Sequence, residues 1–262
     1  KTKLKVRCDE MSNMFDLTGK VAIVTGANTG LGQGIALALA EAGAAISLVG
    51  RSAPDETVAR IEGSGGKSLS IQADLSDLAF VDDIVLQTRE ALGGADILVN
   101  NAGIIQRNDA IDFSIDDWDS VLNVNLRTGF FLSQAFARGC VEADQSGKII
   151  NIASMLSFQG GIRVPSYTAS KSGLMGLTRA LANEWAGKDI NVNAIAPGYF
   201  ATNNTAALQA DPKRSAEILG RIPAGRWGQP AELGGAAVFL ASNAADYVHG
   251  TTLAVDGGWL AR

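Results

Sequence analysis

Val21-Ala22-Ile23-Val24-Thr25-Gly26-Ala27-Asn28-Thr29-Gly30-Leu31-Gly32 is the stretch on which the reading of this chain turns. Val21–Val24 form a short apolar run that reads as a buried strand. The glycines after it read as a tight turn, and Ile35-Ala36-Leu37-Ala38-Leu39-Ala40 reads as a buried helix. Strand, glycine turn and helix in immediate succession are the context a dinucleotide site requires. Gly26 permits the turn, Gly30 lets the backbone approach a pyrophosphate, and Gly32 lets the helix pack closely on the strand. The helix start at Asn28, Thr29, Gly30 and Leu31 then offers unpaired amides and a positive dipole end to phosphates. In a chain with 30 glycines the pattern alone is weak, and its place between strand and helix is what gives it weight.

The rest of the chain continues the same alternation. Strands are expected at 20–25, 45–50, 68–72, 96–100, 148–152, 190–195 and 252–255. Helices are expected at 31–42, 55–62, 77–92, 115–139, 166–186, 213–221 and 230–241. Strands apolar on both faces and separated by crossover helices imply a mostly parallel sheet covered on both sides. Right-handed crossovers make this an α/β, doubly wound, seven-stranded Rossmann-type sheet with its ligand outside the carboxyl ends of the strands. The Asn-, Gly- and Pro-rich piece at 197–229 reads as a mobile flap over one domain, not as a boundary between two. Residues 15–262 are therefore expected to be a single catalytic domain. Residues 1–14 are expected to be a tail or a vector-derived extension, with the natural start at Met11 or Met14.

A length of 262 residues with 47% hydrophobic content is enough to bury one sizeable core. A net charge of −5 gives no broad basic surface, which argues against nucleic acid and anionic membrane as partners. The one basic cluster, Lys1, Lys3, Lys5 and Arg7, reads as a solvated tail. Two cysteines, Cys8 and Cys140, are too few for a disulfide framework and fit a reducing compartment. No apolar run approaches membrane-spanning length and no signal-peptide core is visible, so a cytoplasmic protein is expected. His249, the single histidine, reads as a loop residue, and no His/Cys/carboxylate cluster has metal-ligand spacing, so no metal is expected. Ser154 lacks a nucleophile elbow, which sets aside a serine hydrolase.

Tyr167 and Lys171 lie four residues apart on a predicted helix, so phenol and ammonium share a face. A nearby ammonium stabilises phenolate and is expected to lower the tyrosine pKa toward neutrality, making Tyr167 a general acid or base. Ser154, thirteen residues upstream at the exit of a strand, supplies a second hydrogen bond to a carbonyl oxygen.

Taken with Thr25–Gly32, Asn100-Asn101-Ala102-Gly103, Asn125 and Pro197-Gly198, these residues resemble the short-chain dehydrogenase/reductase family over essentially residues 15–262. The resemblance implies that Tyr167 exchanges a proton with the reacting oxygen and that Ser154 holds that oxygen. It implies that Lys171 binds nicotinamide-ribose hydroxyls, and that Asn125, in preference to its neighbour Asn123, orders a water for a proton relay. Asn101, Ala102 and Gly103 are expected to approach the adenosine ribose. Asp74 and Leu75 are expected at the adenine, with a helix N-cap the other reading of Asp74. Pro197, Gly198 and Thr202 are expected against the nicotinamide. The family resemblance also implies a homotetramer, with the apolar stretches 113–135 and 173–185 pairing across two-fold axes.

The choice of cofactor rests on the end of the second strand. An acid there would bond the adenosine 2′-hydroxyl and repel a 2′-phosphate; this chain has Gly50-Arg51-Ser52. Arg51 is suited to a 2′-phosphate, so NADP(H) is expected, while the nearest members of the family favour NAD(H).

Within the family, segments 151–167, 199–205 and 221–227 resemble members acting on deoxy sugar acids of the 2-dehydro-3-deoxy-D-gluconate or 2-deoxy-D-gluconate type. Such a substrate needs a cation for its carboxylate. Arg163, four residues before Tyr167, is the first candidate and Arg107 the second; Gln106, Gln159 and Asn203 are candidates for its hydroxyls. The alternatives are a family member acting on another alcohol or ketone (3-oxoacyl or sugar alcohol) and a non-catalytic dinucleotide-binding scaffold. A scaffold has no need of Ser154, Tyr167 and Lys171 together.

Overall fold

In the computed structural model, which describes residues 14–262, seven strands form one sheet. The expectations for the basic cluster, Cys8 and a start at Met11 lie outside the described residues. The strands are β1 (Val21–Thr25), β2 (Ala45–Gly50), β3 (Ser68–Gln72), β4 (Ile97–Asn100), β5 (Gly147–Ile152), β6 (Ile190–Pro197) and β7 (Thr252–Val255). Their spatial order is β3-β2-β1-β4-β5-β6-β7, with every neighbouring pair parallel. The helices are α1 (Gly30–Glu41), α2 (Asp55–Gly63), α3 (Val81–Leu92), α4 (Ile115–Leu122), α5 (Thr128–Glu142), α6 (Pro165–Trp185), α7 (Ala206–Ala210), α8 (Pro212–Arg221) and α9 (Gly234–Ala241).

The period-two alternation of each strand feeds two separate cores. Ala22, Val24, Ile46, Leu48, Ile97, Val99, Ile150 and Ile152 point to one face, where Ile35 and Leu39 of α1 and Leu240 of α9 cover them. Ile23, Val49, Leu98, Ile149 and Val192 point to the other, against Ile84 of α3, Leu132 and Phe136 of α5 and Leu181 of α6. Side chains of this size each contribute about 1.5–3 kcal/mol when fully buried, so both faces of every central strand are held. Chain order reverses direction between β1 and β4, and this leaves a crevice at the carboxyl end of the sheet.

Two helix starts away from the crevice are closed by side chains. Ser114 caps α4 by accepting from the Asp117 amide at 3.1 Å, and Asp211 caps α8 by accepting from Lys213 and Arg214 at 2.9 and 3.1 Å. Helix α1 has no side-chain cap and no acid in its first turn, so its amides remain open toward the crevice.

Three expectations need correction. The segment 115–139 is not one helix, because a π-helical turn at Asn123–Arg127 separates α4 from α5, which runs on to Glu142. Positions 78–80 of the segment expected as helix 77–92 form a 3₁₀ turn before α3. The piece 197–229 holds a further short helix, α7, besides the α8 expected there.

Candidate active site

One cavity of about 550 Å³ opens at the β1/β4 crevice. All of the residues expected at the dinucleotide line it: Gly26, Asn28, Thr29, Gly30, Leu31, Gly32, Arg51, Asp74, Leu75, Asn101, Ala102, Gly103, Tyr167, Lys171, Pro197, Gly198 and Thr202. Gly26 and Gly30 have φ of +66° and +59°, a region costly for any residue with a Cβ. A Cβ on Gly32 would lie 2.1 Å from the Gly26 carbonyl oxygen, so the first helical turn and the glycine turn touch as the sequence requires. What the sequence did not reveal is the brace beneath them. The Thr25 hydroxyl accepts from the Asn101 and Ala102 amides at 3.0 and 2.9 Å. The Asn101 side chain returns a bond to the Thr25 carbonyl at 2.8 Å. Only the position of Thr25 at a strand end hinted at this, because its partners come from the end of β4 and the turn after it, more than 70 residues away.

At the adenosine end, Arg51 is exposed and makes no ion pair among the described residues. The Asp74 carboxylate accepts from the Ser76 amide and hydroxyl at 3.0 and 2.9 Å; these bonds hold it below the ordinary carboxylate range, with a smaller push from Arg51. Capping of the 3₁₀ turn falls to Asp77 instead of Asp74. Leu75 is buried, and its carbonyl accepts the Thr128 hydroxyl at 2.6 Å, a bond that pins this wall to α5.

Ser154, Tyr167 and Lys171 meet at the other end of the cavity. Ser154 leaves β5 in extended conformation and its hydroxyl accepts from the Leu156 amide at 3.1 Å, starting the 3₁₀ turn Met155–Ser157. The Ser157 hydroxyl donates to the Lys171 carbonyl at 2.7 Å and ties that turn to α6. Lys171 is 3% exposed, its Nζ donates to the Ile152 carbonyl at 2.6 Å, and burial pulls its pKa down to about 8. Tyr167 is partly exposed and lines the cavity. Burial pushes this phenol above its usual value, with hydrogen bonding from Ser154 and then the charge of Arg107 opposing. The expected lowering of the Tyr167 pKa by Lys171 is therefore corrected. Desolvation outweighs the hydrogen bond from Ser154 and the charge of Arg107, and Lys171 is not among the groups that shift the phenol.

Asn125 does not line the cavity; it is buried behind it, in the π-helical turn. Its side chain grips both backbone groups of Ile104, accepting from the amide at 2.8 Å and donating to the carbonyl at 2.9 Å. It also donates to Ser170 at 3.2 Å, between Tyr167 and Lys171 on α6. Gly103 fits where a Cβ would approach Asn125 Oδ1 to 3.2 Å and Lys171 Nζ to 3.6 Å.

The substrate candidates fare differently. Arg163 does not face the cavity: at φ +64° it turns outward and pairs with Asp109 at 2.9 Å, so its guanidinium is already neutralised. Gln159 is likewise absent from the cavity wall, because its Oε1 accepts the Trp259 indole N–H at 3.0 Å. Gln106 does not line it either, whereas Asn203 does, beside Asn204 and Thr205. Arg107 does not line it either; it donates to the Asn204 carbonyl at 3.3 Å, beside the lining residues Asn203 to Thr205, makes no ion pair among the described residues, and is the weakest of the influences on the Tyr167 phenol. His249 lies at the opposite, amino end of the sheet, facing Asn191 at 3.2 Å, as a loop residue should. No group of three or more metal-ligating side chains exists among the described residues, and none of their helices is long and apolar enough to cross a membrane.

The residues present fit a nicotinamide dinucleotide: an uncapped helix start for the phosphates, an unpaired arginine at one end and a hydroxyl pair at the other. Comparison with known proteins agrees. A family model described as Enoyl-(Acyl carrier protein) reductase matches residues 26–260. The 2-dehydro-3-deoxy-D-gluconate 5-dehydrogenase of Dickeya dadantii is 61% identical over 250 residues, which are 95% of this chain and 99% of that protein. Its counterpart from Escherichia coli is 60% identical, covering 95% of this chain and 98% of the relative. A crystal structure from Agrobacterium tumefaciens with bound NADP, provisionally described as a 2-deoxy-D-gluconate 3-dehydrogenase, is 60% identical. It superposes with a TM-score of 0.91 over 95% of this chain and 100% of that one.

Proposed function

The chain belongs to the short-chain dehydrogenase/reductase family, and from that membership we propose that it interconverts the hydroxyl and keto forms of a deoxy sugar acid of the 2-dehydro-3-deoxy-D-gluconate or 2-deoxy-D-gluconate type. The observation that carries this reading is the meeting of Ser154, Tyr167 and Lys171 in the cavity that the glycine turn and the open start of α1 also line.

The nicotinamide, when bound, gives or takes the hydride. Tyr167 exchanges the proton: it takes it from the substrate hydroxyl in oxidation and gives it to the carbonyl in reduction. Ser154 donates to the same oxygen, an interaction of the kind that is worth about 3 kcal/mol in a transition state. Lys171 holds the nicotinamide-ribose hydroxyls from the floor of the site. Asn125 keeps Gly103, Ile104 and the Tyr167–Lys171 turn of α6 in mutual register, the role from which it would order the relay water that the family resemblance implies. Asn101, Ala102, Gly103, Asp74 and Leu75 serve the adenosine half. Pro197, Gly198 and Thr202 serve the nicotinamide half. Arg107 takes the substrate carboxylate, a role supported by its lack of an ion pair among the described residues and by its bond to Asn204 at the cavity wall.

NADP(H) is the cofactor we propose, on the strength of the unpaired Arg51 and the absence of an acid at the end of β2. A cytoplasmic, single-domain homotetramer is the assembly proposed. Ile115, Trp118 and Val141, exposed on α4 and α5, support the pairing of those helices, and Cys140, buried with its thiol pushed up to about 11, suits a reducing compartment.

Turnover measured with NADH and NADPH against 2-keto-3-deoxy acids, free sugars and acyl thioesters tests the reading. Sugar-acid turnover with NADPH is the expected result. Exclusive turnover of thioesters or neutral sugars would replace the substrate, and tight cofactor binding without any turnover would leave only a scaffold.

A further inference from the structure

Trp259 lies outside the cavity, yet it is 5% exposed and touches four segments that surround it. Its indole N–H donates to Gln159 Oε1 at 3.0 Å. Its ring meets Tyr199 edge-on at 4.9 Å, just beyond Pro197-Gly198, and Tyr199 in turn meets Trp227 at 5.5 Å. The Arg221 guanidinium, the last residue of α8, stacks on the indole at 4.1 Å. Ile218 and Ile222 pack in the same cluster, which also contains Met155, the immediate neighbour of Ser154.

The surrounding backbone is built to hold the indole there. Gly257 and Gly258 have φ of +65° and +88°, and the Asp256 carboxylate accepts from the Gly258 and Leu260 amides at 2.8 Å each. The Ala224 amide donates to the Gly257 carbonyl at 3.0 Å, and Arg262 donates to the Gly220 carbonyl at 2.9 Å, so this segment is fastened to the end of α8. On the other side, the Gln159 amide donates to the Met155 carbonyl at 3.2 Å, and the Ser157 amide to the Ser154 carbonyl at 2.9 Å. A force applied at Gln159 is thus one hydrogen bond and one peptide bond from Ser154.

We propose that Trp259 is a positioning residue for Ser154, acting through the indole N–H bond to Gln159, which fixes the turn behind the serine hydroxyl to helix α8. A side chain of α8 and one of the serine turn then share a single anchor, so the flap and the oxygen-holding hydroxyl move as one body. The proposal rests on the role given to Ser154 above, and its test separates the two.

Three variants are compared: Trp259→Phe, which keeps an aromatic ring but removes the donor; Gln159→Leu, which removes the acceptor; and Ser154→Ala. Each is assayed for kcat and KM across pH with the deoxy sugar acid, for cofactor affinity and for Tm. Loss of one hydrogen bond that orients a reacting group predicts a fall in kcat of about 5- to 30-fold for Trp259→Phe and for Gln159→Leu. Cofactor affinity should be unchanged. The limb of the oxidative pH profile that reports Tyr167 should move toward higher pH in both, as in Ser154→Ala, because the phenol loses the bond that favours its ionised form. The double variant should fall no further than either single one. Wild-type kcat and pH limb in both single variants, or a lowered Tm alone, would overturn the proposal. Full turnover by Ser154→Ala would instead overturn the role of the serine, and the latch with it.

Discussion

The Lys171 ammonium stands 5.7 Å from the centroid of the Tyr167 ring, but its hydrogen bond goes to the Ile152 carbonyl at 2.6 Å. The lysine is thus anchored to the sheet and not to the phenol. Burial brings its pKa from 10.5 down to about 8, so the unfolded chain holds more protons than the fold between those values. Stability should therefore rise as pH climbs through that window, by at most about 3 kcal/mol. Lys171→Met removes the group that titrates. Wild type should gain on this variant between pH 8 and 10.5 in parallel thermal melts; parallel curves would mean that the amine is not desolvated.

Tyr167→Phe deletes the hydroxyl proposed to exchange a proton at the reacting oxygen while leaving the ring. Turnover should fall by about 10³-fold or more, with cofactor binding, followed by nicotinamide fluorescence, close to wild type.

Arg163 is paired with Asp109 and does not line the cavity, whereas Arg107 makes no ion pair among the described residues. Arg107→Ala should raise KM for sugar acids about 10- to 100-fold and barely change it for a neutral ketone, as expected for a lost charge-assisted bond. Arg163→Ala should leave both within about two-fold, since an exposed ion pair contributes little. A selective effect of Arg163 would reverse the assignment.

Arg51→Ala should weaken NADPH about ten-fold and leave NADH nearly untouched, because only the 2′-phosphate carries the charge that Arg51 meets. Titration of each dinucleotide checks this directly. An equal loss with both would remove Arg51 from the choice of cofactor.

Gly32→Ala would set a methyl 2.1 Å from the Gly26 carbonyl oxygen, a contact that must force the helix from the turn. Destabilisation of about 2 kcal/mol or more and loss of dinucleotide binding are expected. A variant that binds cofactor normally would show that the turn is not held by that contact.

Much of this was legible from residue order. The strand limits at 45–50, 68–72 and 252–255 agree with the structure to the residue, because short β-branched runs between glycines and helices admit little slippage. The glycine turn that lines the cavity was equally readable, since glycine spacing and a strand-to-helix turn are local properties of consecutive residues. The π-helical turn at Asn123–Arg127 was not, because it accompanies a grip on Ile104, about 20 residues away, that has no local signature.

By itself, then, the order of residues determined the layered sheet and the glycine turn, which follow from periodicity and spacing along the chain, while Ser154, Tyr167 and Lys171 were singled out by resemblance to a family. Tertiary structure alone decided the electrostatics and the partners. Whether Lys171 or burial governs the Tyr167 phenol depends on how much water reaches it. Whether Arg163 or Arg107 is free to meet an anion depends on where Asp109 lands, and whether Gln159 faces a substrate or Trp259 depends on a contact spanning 100 residues. Solvent access and long-range pairing are properties of the packed molecule, and no local pattern encodes them.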